Sequence, residues 1–308
     1  MNAPPDIFRV PEPLESFDAE MEDGAVIRVR RHGNPDGPRL VMAHGNGFAI
    51  DAYYPFWRLL TDRYDLAIYD QRNHGRNPRH DVDRHDVPTF VADMDRLVDL
   101  IPERFGARPT VGAFHSISAV TAVRHALERG WKWDALALFD PPLIPSPGHR
   151  AHEVARTFEL GLADWAAARP DRFSDAMELA VRFARSKSLA RWVEGGHALM
   201  ARSITREDPA TGEFVLCCPR EGESRVYRTN AGLDLCPRLG ELKGPLTFIS
   251  SDPDAPGALA PGKVGRAMKE DHGIEWTPIG NTSHLLQIER PDACHAALET
   301  FLARQDLG

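Results

Sequence analysis

The 308-residue sequence has few of the features that mark secreted, membrane-bound or nucleic-acid-binding proteins. Its four cysteines, Cys217, Cys218, Cys236 and Cys294, are too few and too unevenly spaced for a disulfide framework or a zinc site. No apolar run approaches the ~20 residues of a membrane span, and residues 1–13 lack the apolar segment of a signal peptide. We therefore expect a cytoplasmic protein that does not act in a membrane.

Charge is also not concentrated anywhere along the chain. There are 37 basic and 45 acidic residues, which give a formal net charge of −8, and no five like charges stand together. Proteins that bind nucleic acid usually carry a basic patch or stripe, so nucleic acid is not an expected partner. A small-molecule substrate is the expected partner, and the composition leaves the oligomeric state open.

Short apolar runs alternate with helical patterns over much of the chain. Five of these runs have strand length and no polar alternation, as in a parallel sheet that is buried on both faces. They lie at residues 40–43, 65–69, 110–114, 135–139 and 246–250. Residues 14–19 and 25–31 instead predict an antiparallel hairpin at the sheet edge. The pattern predicts an α/β fold with a mostly parallel central sheet flanked by helices.

This alternation stops after a proline-rich stretch at residues 141–147. The residues that follow are rich in Ala, Leu and Arg. Large aromatic side chains are spread among them, including Trp165, Phe173, Phe183 and Trp192. We interpret residues 145–235 as a mainly helical cap that is inserted between a first core segment, residues 1–144, and a second core segment, residues 236–308. A separate helical domain is the alternative.

A serine lies at the bend between one predicted strand and the next helix. Beyond the run at residues 110–114, the spacing of Ile117, Val120 and Val123 is helical, so Ser116 lies at the turn. A serine at a sharp strand-to-helix turn exposes its hydroxyl, and the next backbone N–H lies at a helix N-terminus, where negative charge is stabilised. Ser116 is therefore the candidate nucleophile, with an ordinary helix cap as the alternative.

The turn departs from the Gly-x-Ser-x-Gly pattern of a nucleophile elbow. Phe114 and Ser118 stand at the two positions where that pattern has glycine. Small residues are favoured there because side chains two residues before and after the serine crowd each other. Phe114 therefore requires a wider turn or a ring that points away from it.

Two glycines follow the run at residues 40–43, within His44-Gly45-Asn46-Gly47-Phe48. Glycines just beyond a buried strand allow backbone N–H groups to point into a cavity, which is how an oxyanion site is built. We expect the N–H of Asn46, or that of Gly47, to act together with the N–H of Ile117. A plain turn at the end of a strand is the alternative.

Three motifs in this order resemble the first half of the alpha/beta-hydrolase family: His-Gly-x-Gly at 44–47, Asp-x-Arg-x-His-Gly at 70–75 and x-His-Ser-x-small around Ser116. The resemblance covers roughly residues 25–140 and 240–305. It implies an alpha/beta-hydrolase fold with a helical cap and no cofactor, and it gives the 70–75 loop a supporting role. The His- and Asp-rich stretch at 79–86 contains interleaved arginines, so we interpret it as a solvated loop rather than a metal site.

The resemblance also assigns the other catalytic groups, which follow Ser116 in the order Asp then His. His284 follows the terminal strand and is the candidate base. Asp252 is the preferred acid because it begins an Asp-Pro-x-x-Pro sequence that many family members show after this strand. Strand length favours Asp254 instead, and Asp140, which ends the preceding strand, is the third candidate.

Together these assignments predict a serine hydrolase that cleaves a small carboxylic ester through an acyl-enzyme. Ser116 would attack the carbonyl, His284 would accept and return the proton, and the carboxylate would fix the imidazole tautomer. The aromatic residues of the cap suggest an apolar acyl group. The alternatives are a C–C bond or thioester hydrolase of the same fold and a small-ligand receptor with little turnover.

Overall fold

The structure is a computed structural model that describes residues 4–308. Residues 1–3 lie outside the described residues. They begin the predicted first core segment, residues 1–144, and the stretch 1–13 in which the sequence shows no signal peptide. The strands are β1 (Glu15–Glu20), β2 (Val26–Gly33), β3 (Arg39–Ala43), β4 (Asp65–Tyr69), β5 (Thr110–His115), β6 (Ala135–Phe139), β7 (Arg172–Phe173), β8 (Thr205–Glu207), β9 (Phe214–Leu216), β10 (Leu246–Ser251) and β11 (Glu275–Ile279). The α-helices are α1 (Tyr54–Trp57), α2 (Val87–Phe105), α3 (Ile117–Arg129), α4 (His152–Ala168), α5 (Ala176–Arg185), α6 (Gly196–Ile204), α7 (Arg220–Asn230), α8 (Ala260–His272), α9 (Leu286–Glu289) and α10 (Pro291–Arg304).

Eight strands form the central sheet in the order β1-β2-β4-β3-β5-β6-β10-β11. β2 pairs antiparallel with both β1 and β4, and the other neighbours pair in parallel. The predicted fold class, a mostly parallel sheet flanked by helices, is confirmed, and the antiparallel hairpin lies at its edge. Within the described residues, no helix combines the length and the apolarity that crossing a membrane would require.

The sheet is stabilised by burial of its central strands and of the helices that cover them. Every residue of β3, β4 and β6 is buried, which explains why these strands show no polar alternation; the two charged residues, Arg39 and Asp65, pair with each other at 2.7 Å. Helix α2 begins where the Asp86 side chain accepts a hydrogen bond from the N–H of Thr89, and it buries Phe90, Met94 and Leu97 against the sheet. Each such side chain contributes about 1.5–3 kcal/mol of burial free energy.

The connection between β6 and β10 contains α4, α5, α6 and α7, which fall within the predicted cap. It also contains a second sheet, in the order β7-β9-β8, whose strands are antiparallel. Sequence analysis did not predict this sheet, because strands of two or three residues are too short to show a two-residue period.

The carboxyl ends of the central strands place the candidate site at one edge of the sheet. Ala43 at the end of β3 pairs with Phe114, and His115 at the end of β5 pairs with Phe139 at the end of β6. The residues that follow these parallel strands therefore meet, as ligand sites in open α/β sheets usually do.

Candidate active site

Ser116 occupies a sharp turn between β5 and α3. Its backbone has φ 56° and ψ −121°, a conformation that is rarely adopted by any residue except glycine. The N–H of Ser116 donates to the carbonyl of Phe139 at 2.9 Å, and the carbonyl of Ser116 accepts from Ala119 at 2.9 Å to begin the helix. Strain of this kind is concentrated at functional sites, and it matches the backbone of a nucleophile elbow.

The ring of Phe114 avoids the crowded turn by folding back along its own strand. It packs against Gly112, where a Cβ would overlap the edge of the ring, and it meets Trp133 edge-on at a centroid distance of 5.3 Å. Of the two alternatives that the sequence left open, a wider turn or a ring that points away from it, these contacts fit the second. Gly112, two residues before Phe114, supplies the space that this orientation needs.

Ser118, at the other position where the elbow pattern has glycine, is buried and fully hydrogen-bonded. Its hydroxyl oxygen accepts from the N–H of His115 at 3.0 Å, and the hydroxyl donates to the carbonyl of His115 at 2.8 Å. The side chain therefore ties the end of β5 to the first turn of α3 and is not available as a second nucleophile.

His284 lies between a serine hydroxyl and a buried carboxylate. Its Nε2 is 2.8 Å from Ser116 Oγ, and its Nδ1 is 2.8 Å from Asp140 Oδ2. Asp140 is fully buried, and its Oδ1 accepts from both the N–H and the hydroxyl of Ser251 at 2.9 and 3.0 Å. A carboxylate only accepts, so Nδ1 carries the proton and Nε2 is free to accept the proton of Ser116.

The sequence prediction that Asp252 supports His284 is wrong. The Asp252 carboxylate accepts the N–H of Asn281 at 2.8 Å and that of Asp254 at 2.9 Å. These two bonds lower the pKa of Asp252 and join the loops that follow β10 and β11. Asp252 therefore organises the loop that carries the base, but it does not contact the imidazole.

Asp140, the third candidate for the acid, contacts His284 because of where β6 ends. Asp140 follows β6, which lies between β5 and β10, and its backbone has φ 46°. This left-handed conformation turns the carboxylate toward His284. Asp254, the other alternative, is exposed and pairs with Arg266.

The loop at residues 44–48, which we name the oxyanion loop, lies directly against the nucleophile. A Cβ placed on Gly45 would be 3.1 Å from Ser116 Cβ and 3.0 Å from His115 Nδ1, so a larger residue would crowd the elbow. Gly47 in the same loop has φ 75°, which also favours glycine. Gly45 is therefore favoured by the close contact between the loop and the elbow, and Gly47 by its backbone conformation.

Hydrogen bonds within the oxyanion loop distinguish the two candidate donors. The N–H of Gly47 donates to His74 Nε2 at 3.0 Å and is thereby occupied. Among residues 4–308, neither the N–H of Asn46 nor that of Ile117 has a protein acceptor. These contacts favour Asn46 over Gly47 as the partner of Ile117 in binding an oxyanion.

His115 connects the oxyanion loop to the loop of the base. Its Nδ1 is 2.7 Å from the hydroxyl of Tyr53, which also accepts from the N–H of Gly45 at 3.2 Å. Its Nε2 is 2.8 Å from the carbonyl of His284. Burial places the pKa of His115 well below its usual value, so we assign a neutral ring with its proton on Nε2.

The chain also matches known proteins. The model of the Alpha/beta hydrolase family matches residues 40–297. This chain belongs to that family. Among curated proteins, it is 27% identical over 198 residues to RutD of Stutzerimonas stutzeri, which is named as a carbamate hydrolase; the match covers 58% of this chain and 72% of RutD. It is 30% identical over 138 residues to EphD of Mycobacterium tuberculosis, named as an oxidoreductase, where the match covers 43% of this chain and 22% of EphD.

Solved structures share the fold at low sequence identity. E-2-(acetamidomethylene)succinate hydrolase superposes with a TM-score of 0.76 at 16% identity, covering 94% of this chain and 99% of that chain. A thermophilic esterase from Thermogutta terrifontis superposes with a TM-score of 0.67 at 15% identity, again covering 94% and 99%. At this level of identity the likeness shows the alpha/beta-hydrolase fold alone.

In this alpha/beta hydrolase, the loop at residues 70–75 holds other parts of the site in place, as the resemblance implied. The Asp70 carboxylate accepts from the N–H of Ile50 at 2.8 Å and from that of Arg76 at 3.0 Å. Arg72 is buried and pairs with Asp93 at 2.5 Å. These bonds fix the segment beneath the oxyanion loop.

One cluster among the described residues has the composition of a metal site. His74, His85 and Cys218 are buried, with candidate ligand atoms within 4.8 Å of one another. However, His74 uses both ring nitrogens, because Nδ1 donates to the carbonyl of Arg72 at 2.9 Å and Nε2 accepts from Gly47. A metal bound to either ring nitrogen would break one of these hydrogen bonds, and binding at Nε2 would release the N–H of Gly47, so these residues fit a structural role better.

Trp192 and Trp165, two aromatic residues of the predicted cap, differ in burial. Trp192 is packed in the hydrophobic core against Phe183, at a centroid distance of 5.7 Å. Trp165 is 51% exposed, and the guanidinium of Arg169 stacks 5.0 Å from its ring centroid. Packing contacts within the chain therefore account for both tryptophan rings.

Proposed function

We propose that this alpha/beta hydrolase is a serine hydrolase that transfers the acyl group of a small carboxylic ester to water. The observation that carries the proposal is the hydrogen-bonded line from Asp140 through His284 to Ser116, with 2.8 Å at each link. This is the arrangement of nucleophile, base and orienting acid that activates a serine hydroxyl at neutral pH.

In the acylation step, Ser116 Oγ attacks the ester carbonyl while its proton passes to His284 Nε2. The buried Asp140 carboxylate stabilises the resulting imidazolium and keeps its orientation. The N–H groups of Asn46 and Ile117 stabilise the negative charge that develops on the carbonyl oxygen, each by about 3 kcal/mol. The tetrahedral intermediate then collapses, and His284 protonates the departing alcohol.

In the deacylation step, the same groups act on water. His284 accepts a proton from a water molecule that attacks the acyl-enzyme, and it returns this proton to Ser116 Oγ as the acid leaves. The chemistry is therefore complete with the side chains present and requires no cofactor.

The name of the Stutzerimonas relative favours a second candidate, hydrolysis of a carbamate. The same serine, base and oxyanion donors would act on that carbonyl, so the catalytic groups alone do not separate the two substrates. Thioester or C–C bond hydrolysis and ligand binding with little turnover remain as further alternatives.

The test combines a fluorophosphonate probe, which labels an activated serine, with p-nitrophenyl esters of increasing chain length, an aryl carbamate and an aryl thioester. We expect labelling at Ser116 and the highest kcat/KM on a short ester. S116A should not be labelled, and its kcat should fall by up to about 10⁶-fold. S118A should be labelled and should keep the kcat of the wild type. A wild-type protein that is not labelled would contradict the serine mechanism, and preferred turnover of the carbamate would establish the second candidate.

A further inference from the structure

The cap contacts the oxyanion loop through an acidic residue of α7. Glu223, in the first turn of this helix, is 2% exposed. Its backbone carbonyl accepts from Asn46 Nδ2 at 2.9 Å. Its carboxylate lies so close to Gly47 that a Cβ on the glycine would overlap Oε1. Glu223 therefore contacts Asn46, whose N–H is the proposed oxyanion donor, and also the next residue, Gly47.

A buried arginine holds the Glu223 carboxylate in this position. Arg169, the residue after α4, places Nη2 2.5 Å from Glu223 Oε2, and the two side chains are 8% and 2% exposed. Burial raises the pKa of Glu223, and the guanidinium of Arg169 opposes this effect. Removing one member of such a pair leaves a buried charge without compensation, so the pair fixes the end of α4 to the start of α7 above the oxyanion loop.

The oxyanion loop is thus held from two sides. On the core side, His74 accepts the N–H of Gly47 at 3.0 Å, and on the cap side Glu223 accepts from the Asn46 side chain. The Asn46 N–H lies between these two anchors. Transition-state stabilisation depends on the direction of such a donor, and a displacement of about 1 Å can cost about 100-fold in rate.

We propose that Glu223 is a positioning residue that aims the Asn46 N–H at the oxyanion, with Arg169 securing its carboxylate. This inference rests on the proposed function, because it takes the Asn46 N–H as an oxyanion donor. It makes the rate of the chemical step depend on how the cap packs on the core. The cap therefore contributes to kcat as well as covering the substrate.

The test compares E223A and E223Q with the matched control E159Q. Glu159 is also buried and also joins α4 to α7, because it accepts from Asn230 Nδ2 at 2.7 Å, but its hydrogen bond does not involve the oxyanion loop.

The readouts are deuterium uptake of the peptide that covers residues 44–48, and kcat and KM on p-nitrophenyl acetate. We expect E223A to raise this uptake and to lower kcat about 10- to 100-fold, a smaller loss than the complete removal of an oxyanion donor causes. KM should change by less than about threefold. E159Q should match the wild type in both readouts.

Unchanged uptake in E223A, or an equal loss of kcat in E159Q, would overturn the proposal. If E223A does not fold, E223Q decides, because it keeps the backbone carbonyl and the side-chain volume while releasing Arg169. E223Q must then show higher deuterium uptake at residues 44–48 and a lower kcat than the wild type. Wild-type values would overturn the inference. If the wild type has neither turnover nor probe labelling, the proposed function fails, while the uptake measurement still decides whether Glu223 holds the loop.

Discussion

The hydroxyl of Tyr53 lies 2.7 Å from Nδ1 of His115, and this contact joins two sides of the active site. The same hydroxyl accepts the N–H of Gly45, and His115 donates through Nε2 to the carbonyl of His284. Three hydrogen bonds thus connect the oxyanion loop to the loop of the base. The two side chains that make these bonds, those of Tyr53 and His115, are both buried.

Replacing Tyr53 by Phe should weaken both the fold and the site. Y53F leaves the N–H of Gly45 and Nδ1 of His115 buried without partners, and each such group costs about 1–3 kcal/mol. We expect the free energy of unfolding, measured by urea denaturation, to fall by about 2–4 kcal/mol, and kcat to fall about tenfold as the base loop shifts.

The matched control is Y54F at the next position. Among the described residues the hydroxyl of Tyr54 makes no hydrogen bond, while its ring packs against Phe8 and Trp57. Removing that hydroxyl should change stability by no more than about 0.5 kcal/mol. Equal stability of Y53F and Y54F would show that the Tyr53 bonds do not contribute to folding.

Asp140 and Asp252 should respond very differently to the same change. In D140N the amide can donate to His284 Nδ1, which favours the wrong imidazole tautomer, so we expect kcat to fall about 10⁴-fold. D252N loses only loop contacts and should stay within about tenfold of the wild type. Steady-state kinetics on one ester check both, and an active D140N with an inactive D252N would restore the sequence-based assignment.

The sequence predicts the strands of the central sheet well, because burial of both faces of a strand produces a short apolar run that is easy to recognise. β4 and β6 have the predicted bounds, since both faces of these strands are covered and every residue is apolar or paired. Ser116 and His284 could both be proposed from the sequence, because each lies in a motif whose residues are neighbours along the chain. The structure brings the two together at 2.8 Å.

What the sequence did not predict depends on contacts between distant residues. Tyr53 and His115 are 62 positions apart, and Asn46 and Glu223 are 177 positions apart, so no local spacing reveals either pair. Asp252 was preferred on a local Asp-Pro sequence, whereas the acid position depends on which strand end faces His284. The position of His115 directly before the serine was the one local signal for its role.

Gly112 should be intolerant of a larger residue, although it lies outside the elbow pattern. In G112A the new Cβ would overlap the ring of Phe114 and lie 2.6 Å from Leu136 Cδ2. We expect a loss of about 1–3 kcal/mol in the free energy of unfolding from overpacking, with lower kcat because the ring is pushed toward Ser116. G161A is the control: it lies within α4 with open space around its Cβ, and alanine there should stabilise the protein by about 0.5–1 kcal/mol. Equal melting temperatures of the two variants would contradict this account of Phe114.

Glu159 should make the stability of the protein fall as pH rises toward 8. Complete burial raises the pKa of this carboxyl from 4.5 to about 8. Between these values the folded protein keeps a proton that the unfolded chain has released. The contribution is therefore complete below about pH 4.5 and is lost as pH rises through about 8.

E159Q removes this titration and keeps a neutral side chain of similar shape at every pH. We expect the free energy of unfolding, measured by urea denaturation at several pH values from 5 to 8, to fall less steeply in E159Q than in the wild type, by up to about 1.4 kcal/mol per pH unit. The variant should therefore gain most in relative stability at pH 8. E153Q, which changes an 86% exposed glutamate of α4, should leave the wild-type slope unchanged. Parallel curves for E159Q and the wild type would show that Glu159 is already ionised in the folded protein, because only a carboxyl that stays protonated on folding can produce the difference in slope.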